Sequence, residues 1–355
     1  MEKMRAARMH DYKQPLVLEE VPVPGPGPTE VLLKVAAVGM CRSDWQLMDG
    51  YFKPGVTLTF PYIPGHEIAG HVDRVGADVP QGAGLSEGDL VVVDAGWGDG
   101  SCRECHEGNE QLCTGSGGWI GFGPPGGFAE YVTVPYRHLI KVDGDQKPEN
   151  LAPLTDAGLT PYRGMKKLRA AGKLGAGHTV AVHGIGGLGS YGVQYARLLG
   201  GGATVVALDR SDEKLAVAAE HGADHTINTR DKTIDQVQAE LERLTGRKNI
   251  DAILDCAGTE SLKLGAALLA PAGGMVSVGL IGTEANFPLF SFVSGERWYS
   301  GSFWGNYNDL TEVLALASAG QIHHTVTPIK YEDINEKLEA LARGDVVGRQ
   351  VLVWG

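Results

Sequence analysis

Across 355 residues no apolar stretch approaches the roughly 18 uninterrupted positions that suggest a membrane-spanning helix. Positive charge is scarce as well: 31 basic against 43 acidic side chains leave a formal charge of −12. That balance favours solubility and argues against a nucleic-acid partner, whose phosphates need a basic surface. The opening segment MEKMRAARMH carries Glu2 and lacks an apolar core, so neither a secretory signal nor a membrane anchor is expected. Cysteine is sparse and odd in number, five in all, with three of them between positions 102 and 113. Such clustering points to metal ligation in a reducing, cytoplasmic compartment rather than to a disulfide framework. The 51 glycines follow no collagen-like period and imply many tight turns. No internal repeat of the kind that builds solenoids or propellers is visible.

What is present divides the chain in two. The first ~150 residues hold short β-rich runs broken by Gly and Pro: VLLKVAAVG (31–39), HEIAGHVDRVG (66–76), DLVVVDAG (89–96) and FAEYVTV (128–134). Long loops rich in Gly, Pro and aromatic residues separate them, so a β-barrel-like domain presenting functional loops is expected. From Thr179 onward apolar strands alternate with helical patterns, from TVAVH and SYGVQYARLLG to GMVSVGLIG. That alternation is the signature of a doubly wound parallel α/β sheet. The pattern turns irregular again after about residue 297, and the tail is expected to return to the first domain. The expected division is 1–157 with 297–355 for one domain and 158–296 for the other.

Within VAVHGIGGLGSYGVQYA, Gly184, Gly186 and Gly189 fit G-x-G-x-x-G, closing a strand and opening a helix. Glycines there let backbone approach a pyrophosphate, whose charge meets the helix N-terminus; Gly187 and Leu188 belong to the same turn. Asp209 ends the next strand, where a carboxylate can accept hydrogen bonds from ribose hydroxyls and repel a 2′-phosphate. This favours NAD over NADP, with Arg210 beside it as the one group able to pair with a phosphate.

Asp99-x2-Cys102-x2-Cys105-x7-Cys113 has the spacing of a closed four-ligand loop, the kind that holds a structural zinc. Cys41, in GMCRSD, and His66 with Glu67, in PGHEIAG, supply thiolate and imidazole suited to a catalytic zinc with one open position. Asp156, in LAPLTDAGLTPY, is available as a third protein ligand.

With these residues in view, Gly65-His66-Glu67-x2-Gly70-x5-Gly76-x2-Val79 resembles the zinc signature of the alcohol dehydrogenases in the medium-chain dehydrogenase/reductase superfamily. The likeness covers nearly the whole chain. It implies a Rossmann domain beside a GroES-like β-barrel catalytic domain. The implied reaction is reversible hydride transfer between an alcohol and NAD, giving ketone or aldehyde. It further implies Cys41, His66 and Asp156 as catalytic-zinc ligands, Glu67 as a carboxylate able to exchange onto the metal, and Ser43 as the proton-relay hydroxyl. Arg42 and Arg349 match positions on the cofactor pyrophosphate; Cys256-Ala257-Gly258 and Val278-Gly279 match strand ends along the nicotinamide half. Trp45, Phe303 and Trp304 fall where related enzymes line the substrate pocket. Two departures stand out: Asp99 replaces the first of four usual cysteines, and Gln46 stands where several members carry a relay histidine.

The aromatic residues Trp45, Tyr51, Phe52, Trp119, Phe122 and Trp304 lean toward apolar substrates, aromatic alcohols included. Asp rather than Cys at position 156 resembles bacterial and archaeal members, many of which accept secondary alcohols. A polyol, sugar or amino-alcohol dehydrogenase of the same superfamily is the alternative. A catalytically silent dinucleotide-binding relative would have lost a zinc ligand or the relay hydroxyl, and none is missing. The resemblance also implies a homodimer or homotetramer.

Overall fold

The computed structural model describes residues 2–115 and 117–354. It separates into two compact units, Met1–Asp156 with Gly305–Gly355, and Ala157–Trp304.

The first unit begins with an antiparallel pair, β1 (Lys3–Arg8) and β2 (Val17–Pro22). Its central strand is β3 (Glu30–Gly39), whose run EVLLKVAAVG is buried at most positions and therefore sits inside the sheet. Antiparallel to β3 lies β4 (Glu67–Val75), followed by β5 (Leu90–Val93). The two-residue strands β6 (Gly96–Trp97) and β7 (Gly118–Trp119) pair with each other and frame the cysteine-rich lobe. β8 (Tyr131–Pro135) pairs with the other half of β3, and β9 (Leu139–Lys141) pairs with β5.

The second unit is built on β10 (Thr179–His183), β11 (Thr204–Asp209), β12 (His225–Asn228), β13 (Ile250–Asp255), β14 (Leu269–Ser277) and β15 (Trp298–Gly301). All its pairings are parallel, in the order β12-β11-β10-β13-β14-β15. β10 is buried at every position, as a strand covered on both faces must be. One face packs Ala181, Val206, Leu208, Ile253 and Met275 against Val237, Leu241 and Leu262 of the helices. The strand order reverses between β10 and β13, and such a switch point opens the ligand crevice of doubly wound sheets.

The chain then returns to the first unit through β16 (Val326–Ile329) and β17 (Arg349–Val353). β17 is antiparallel to β3 and completes the sheet order β16-β17-β3-β4-β5-β9. The boundary falls at Trp304 rather than at 296, because the short run WYSG forms β15, the sixth strand of the parallel sheet. No helix among the described residues is long and apolar enough to cross a membrane.

Candidate active site and metal centres

β3 delivers the chain to Cys41, which caps the N-terminus of helix Arg42–Asp49. Asp44, in the first turn of that helix, accepts the Cys41 N–H at 2.9 Å with one carboxylate oxygen. Its other oxygen lies 3.0 Å from His66 Nδ1, with both side chains buried. An imidazole gripped at Nδ1 presents Nε2 as its ligand atom, and the carboxylate fixes the ring's tautomer and orientation. His66 Nε2 faces Asp156 Oδ2 at 3.4 Å and Ser43 Oγ at 3.5 Å. Donor atoms of Cys41, His66, Glu67 and Asp156 lie within 4.8 Å of one another, and all four residues are buried.

The electrostatics suit a cation. Burial opposes a charge on His66, yet Asp44, Asp156 and Cys41 together raise its pKa well above the ordinary value. A soft thiolate, an imidazole and a carboxylate form a three-ligand zinc set with an open position. Glu67 occupies the same cluster by way of Gly39. Gly39 stands opposite Glu67 in the β3–β4 register and opposite Val351 on β17, and a Cβ there would strike the Glu67 carboxylate. The carboxylate crosses that gap to Arg349, whose Nε donates to Glu67 Oε2 at 3.0 Å while Nη2 donates to Oε1. Arg349 Nη2 also reaches Asp156 Oδ2 at 3.3 Å. The guanidinium expected at the pyrophosphate is therefore turned inward, 4% exposed and engaged by two acids of the metal cluster. Burial disfavours the Arg349 cation, but Cys41, Glu67 and Asp156 outweigh it and raise its pKa. Arg42 is half-buried and donates to the Leu341 carbonyl at 3.2 Å.

The second cluster forms in the lobe between β6 and β7. Asp99, Cys102, Cys105 and Cys113 bring their donor atoms within 4.8 Å of one another. Cys102 Sγ lies 3.5 Å from Cys105 Sγ and 3.9 Å from Cys113 Sγ, and Cys105 Sγ lies 4.0 Å from Asp99 Oδ1. The two sulfur–sulfur separations bracket the edge, about 3.8 Å, of a tetrahedron with zinc–sulfur bonds near 2.3 Å. Backbone N–H groups of Cys105 and Thr114 pull the Cys102 thiol down to about 7, toward the thiolate that a metal needs. Gly115 leaves the space that the Asp99 carboxylate fills.

In the parallel-sheet unit β10 ends at His183 and turns at Gly184, whose φ of 89° favours glycine. Helix Gly187–Leu199 follows from an N-cap at Gly186, and a Cβ on Gly189 would run into the Gly184 carbonyl. Leu188 stands in the helix's first turn. Asp209 closes β11, and its carboxylate accepts N–H groups from Ile185 at 2.6 Å, Arg210 at 2.7 Å and Ser211 at 2.9 Å. The acid is thus fixed at the lip of the glycine turn, with Arg210 exposed beside it. Cys256-Ala257-Gly258 follow β13 and Val278-Gly279 follow β14, at the carboxyl ends of the strands. Burial raises the Cys256 thiol well above its ordinary value, so it stays protonated.

His183 was not legible as special in the sequence. It is 6% exposed, its Nδ1 has no hydrogen-bond partner among the described residues, and burial pushes the imidazole down to about 4. Between pH 6.5 and about 4 the unfolded chain binds a proton that the folded histidine refuses, so stability falls on acidification. His183→Leu should therefore lose about 2 kcal/mol less stability than the parent between pH 7.5 and pH 5, as read from urea melts. Identical pH dependence in the two proteins would contradict this.

Of the expected pocket residues, Trp45 is half-buried, while Phe303 and Trp304 place their rings 4.8 Å apart in the other unit. A cavity of about 530 Å³ in the first unit adjoins the cysteine lobe rather than the Cys41–His66–Asp156 cluster: Asp99, Cys113, Trp97, Trp119, Arg137 and Phe122 are among its lining residues. Phe122 packs its ring 5.0 Å from the His66 ring and 5.2 Å from Phe52. The sequence reading had missed Asp44. For Asp44 a signal existed, since Cys41-Arg42-Ser43-Asp44 reads as a helix start with an acid in its first turn.

Comparison with known proteins identifies the family. Residues 27–144 match the alcohol dehydrogenase GroES-like domain, and residues 187–319 match the zinc-binding dehydrogenase domain. An NAD-dependent alcohol dehydrogenase of Sulfurisphaera tokodaii is 37% identical over 99% of this chain and 100% of its own length. A D-arabinose 1-dehydrogenase (NADP(+)) of Saccharolobus solfataricus is 34% identical over 99% of this chain and 98% of its own. The crystal structure of the alcohol dehydrogenase from the hyperthermophilic archaeon Aeropyrum pernix superposes with a TM-score of 0.91 at 35% identity, covering 99% of this chain and 100% of that one. The chain belongs to the zinc- and NAD-dependent alcohol dehydrogenases of the medium-chain dehydrogenase/reductase superfamily.

Proposed function

We propose that this enzyme interconverts apolar secondary or aromatic alcohols and their carbonyl products, with Cys41, His66 and Asp156 holding the catalytic zinc. Zinc bound there supplies Lewis acidity, which lowers the pKa of an alcohol hydroxyl and polarises a carbonyl. Ser43, whose Oγ lies 3.5 Å from His66 Nε2, takes the hydroxyl proton in oxidation and returns it in reduction. Gln46, buried in the same helix, cannot titrate near neutral pH, so the proton leaves through solvent or the cofactor ribose. Asp44 holds the His66 ring, and Arg349 balances the acids around it. Asp99, Cys102, Cys105 and Cys113 hold the structural zinc. The glycine turn and Asp209 bind the pyrophosphate and adenosine ribose of NAD.

The substrate reading rests on one observation: the Phe122 ring packs against the His66 ring, with Phe52 behind it, so the catalytic cluster has an aromatic wall. Binding against an aromatic wall of this kind gains affinity with substrate carbon count. We expect kcat/KM to rise by about tenfold for each methylene added to a secondary alcohol until that wall is covered. NADH absorbance across a panel of 2-alkanols, aryl alcohols, polyols and aldoses, with NAD and NADP in parallel, checks this. A preference for aldoses or for NADP would instead favour the activity named for the arabinose-oxidising relative.

A homodimer is the proposed assembly. Among the described residues β15 pairs only with β14, and Leu289, Phe290 and Val293 stand 76%, 84% and 69% exposed just before it. A free strand edge beside apolar side chains supports self-pairing about a twofold axis. The five cysteines are unpaired, which supports a reducing, cytoplasmic setting.

A further inference from the structure

Asp255 is a fully buried acid that no motif accounts for, at the carboxyl end of β13. Its carboxylate accepts the hydroxyl of Ser261, in the first turn of helix Thr259–Leu268, and that of Ser277, at the end of β14, the latter at 3.2 Å. The Ser261 oxygen in turn accepts the Gly258 N–H at 2.9 Å. The main-chain carbonyl of Asp255 accepts the N–H groups of Val278 at 2.8 Å and Gly279 at 3.1 Å. One residue thus ties the turns Cys256–Gly258 and Val278–Gly279 together, through both side chain and backbone. The turns also touch directly. A Cβ on Gly279 would run into the Ala257 backbone, and Ile281 N–H donates to the Ala257 carbonyl at 2.9 Å.

Burying a carboxyl is costly, and an apolar residue would pack a strand end more cheaply. A fully hydrogen-bonded buried network offsets that cost by holding one backbone geometry. Topology says what that geometry serves. Asp209, at the end of β11, marks the adenosine side of the switch point, while β13 and β14 lie on its other side. A dinucleotide whose pyrophosphate sits on the turn after β10 must run its second half over the ends of β13 and β14.

We propose that Asp255, with Ser261 and Ser277, is a positioning residue that sets the spacing of the two turns receiving the nicotinamide-ribose half of NAD. The role rests on the NAD site assigned above, and Asp255 acts through the turns without touching the cofactor.

Fluorescence titration of the zinc-loaded, full-length enzyme with NADH, and with ADP-ribose in competition, separates the two halves of the site. NADH affinity should fall about tenfold in Asp255→Asn and about threefold in Ser277→Ala, while ADP-ribose affinity stays within about twofold of the parent in both. A merely structural role would weaken both ligands alike. Equal weakening, or unchanged NADH affinity in both variants, overturns the proposal. Ser277→Ala removes one hydrogen bond and decides the matter if Asp255→Asn does not fold. A parent enzyme that binds neither ligand would refute the NAD site itself, and this role with it.

Discussion

His66→Ala is expected to lower turnover by at least about a thousandfold while NADH still binds, because the Lewis acidity lost with the catalytic metal is worth several kcal/mol. The imidazole is one of three proposed ligands, and its buried position offers water no easy way to substitute for it. The glycine turn and Asp209 lie in a separate folding unit and keep their own hydrogen bonds. Asp44→Asn tests the support behind the ligand. It keeps the size of the side chain but removes the charge facing His66 Nδ1, and a loss of about 10–100-fold in zinc affinity or activity should follow. Steady-state rates, zinc content by mass spectrometry and NADH fluorescence distinguish these outcomes. Full activity in either zinc-stripped parent or His66→Ala would remove the metal from the scheme.

The second large effect is on stability. Arg349→Ala should destabilise the protein by about 3–5 kcal/mol, because it leaves the fully buried Glu67 carboxylate without its guanidinium partner. Arg349→Lys should recover only part of this, since an ammonium cannot reproduce the two-pronged contact with Glu67. Adding Glu67→Gln to Arg349→Ala should restore more than half of the loss, because the stranded charge goes with it. Urea unfolding of the parent, Arg349→Ala, Glu67→Gln and the double variant measures the cycle. If Arg349→Ala matched the parent within about 0.5 kcal/mol, the ion pair would be no more than a surface contact in energetic terms.

The local features of the site were legible because they depend on short spacing. Cys102, Cys105 and Cys113 converge within one loop, and Gly184, Gly186 and Gly189 act within one strand-to-helix turn. The pairing of Glu67 with Arg349 was not legible: 282 residues separate them, and only the β4-β3-β17 order, with Gly39 between, brings them face to face. Nothing in the local pattern announces that the Arg349 guanidinium meets a buried acid. Asp44 was half legible, since its place in the first helical turn is local while its grip on His66 crosses from that helix to the loop before β4. The domain boundary went to Trp304 for a similar reason. WYSG is too short to announce itself as a strand, and it becomes one only by hydrogen bonding to β14.

What the sequence by itself determined is the chemistry available to this protein: two zinc donor sets, a dinucleotide turn with an acid at the next strand end, and little positive charge. Those follow from residue type and near-neighbour spacing, which survive without any fold. What only the tertiary structure decided is how each donor is held and charged. Asp44 orients His66, Arg349 is drawn inward to Glu67 and Asp156, Phe122 brings an aromatic wall to the His66 ring, and Asp255 ties two turns into one surface. Each of those contacts joins residues brought together by the folded chain, and a buried charge or ring takes its properties from whatever the fold packs against it.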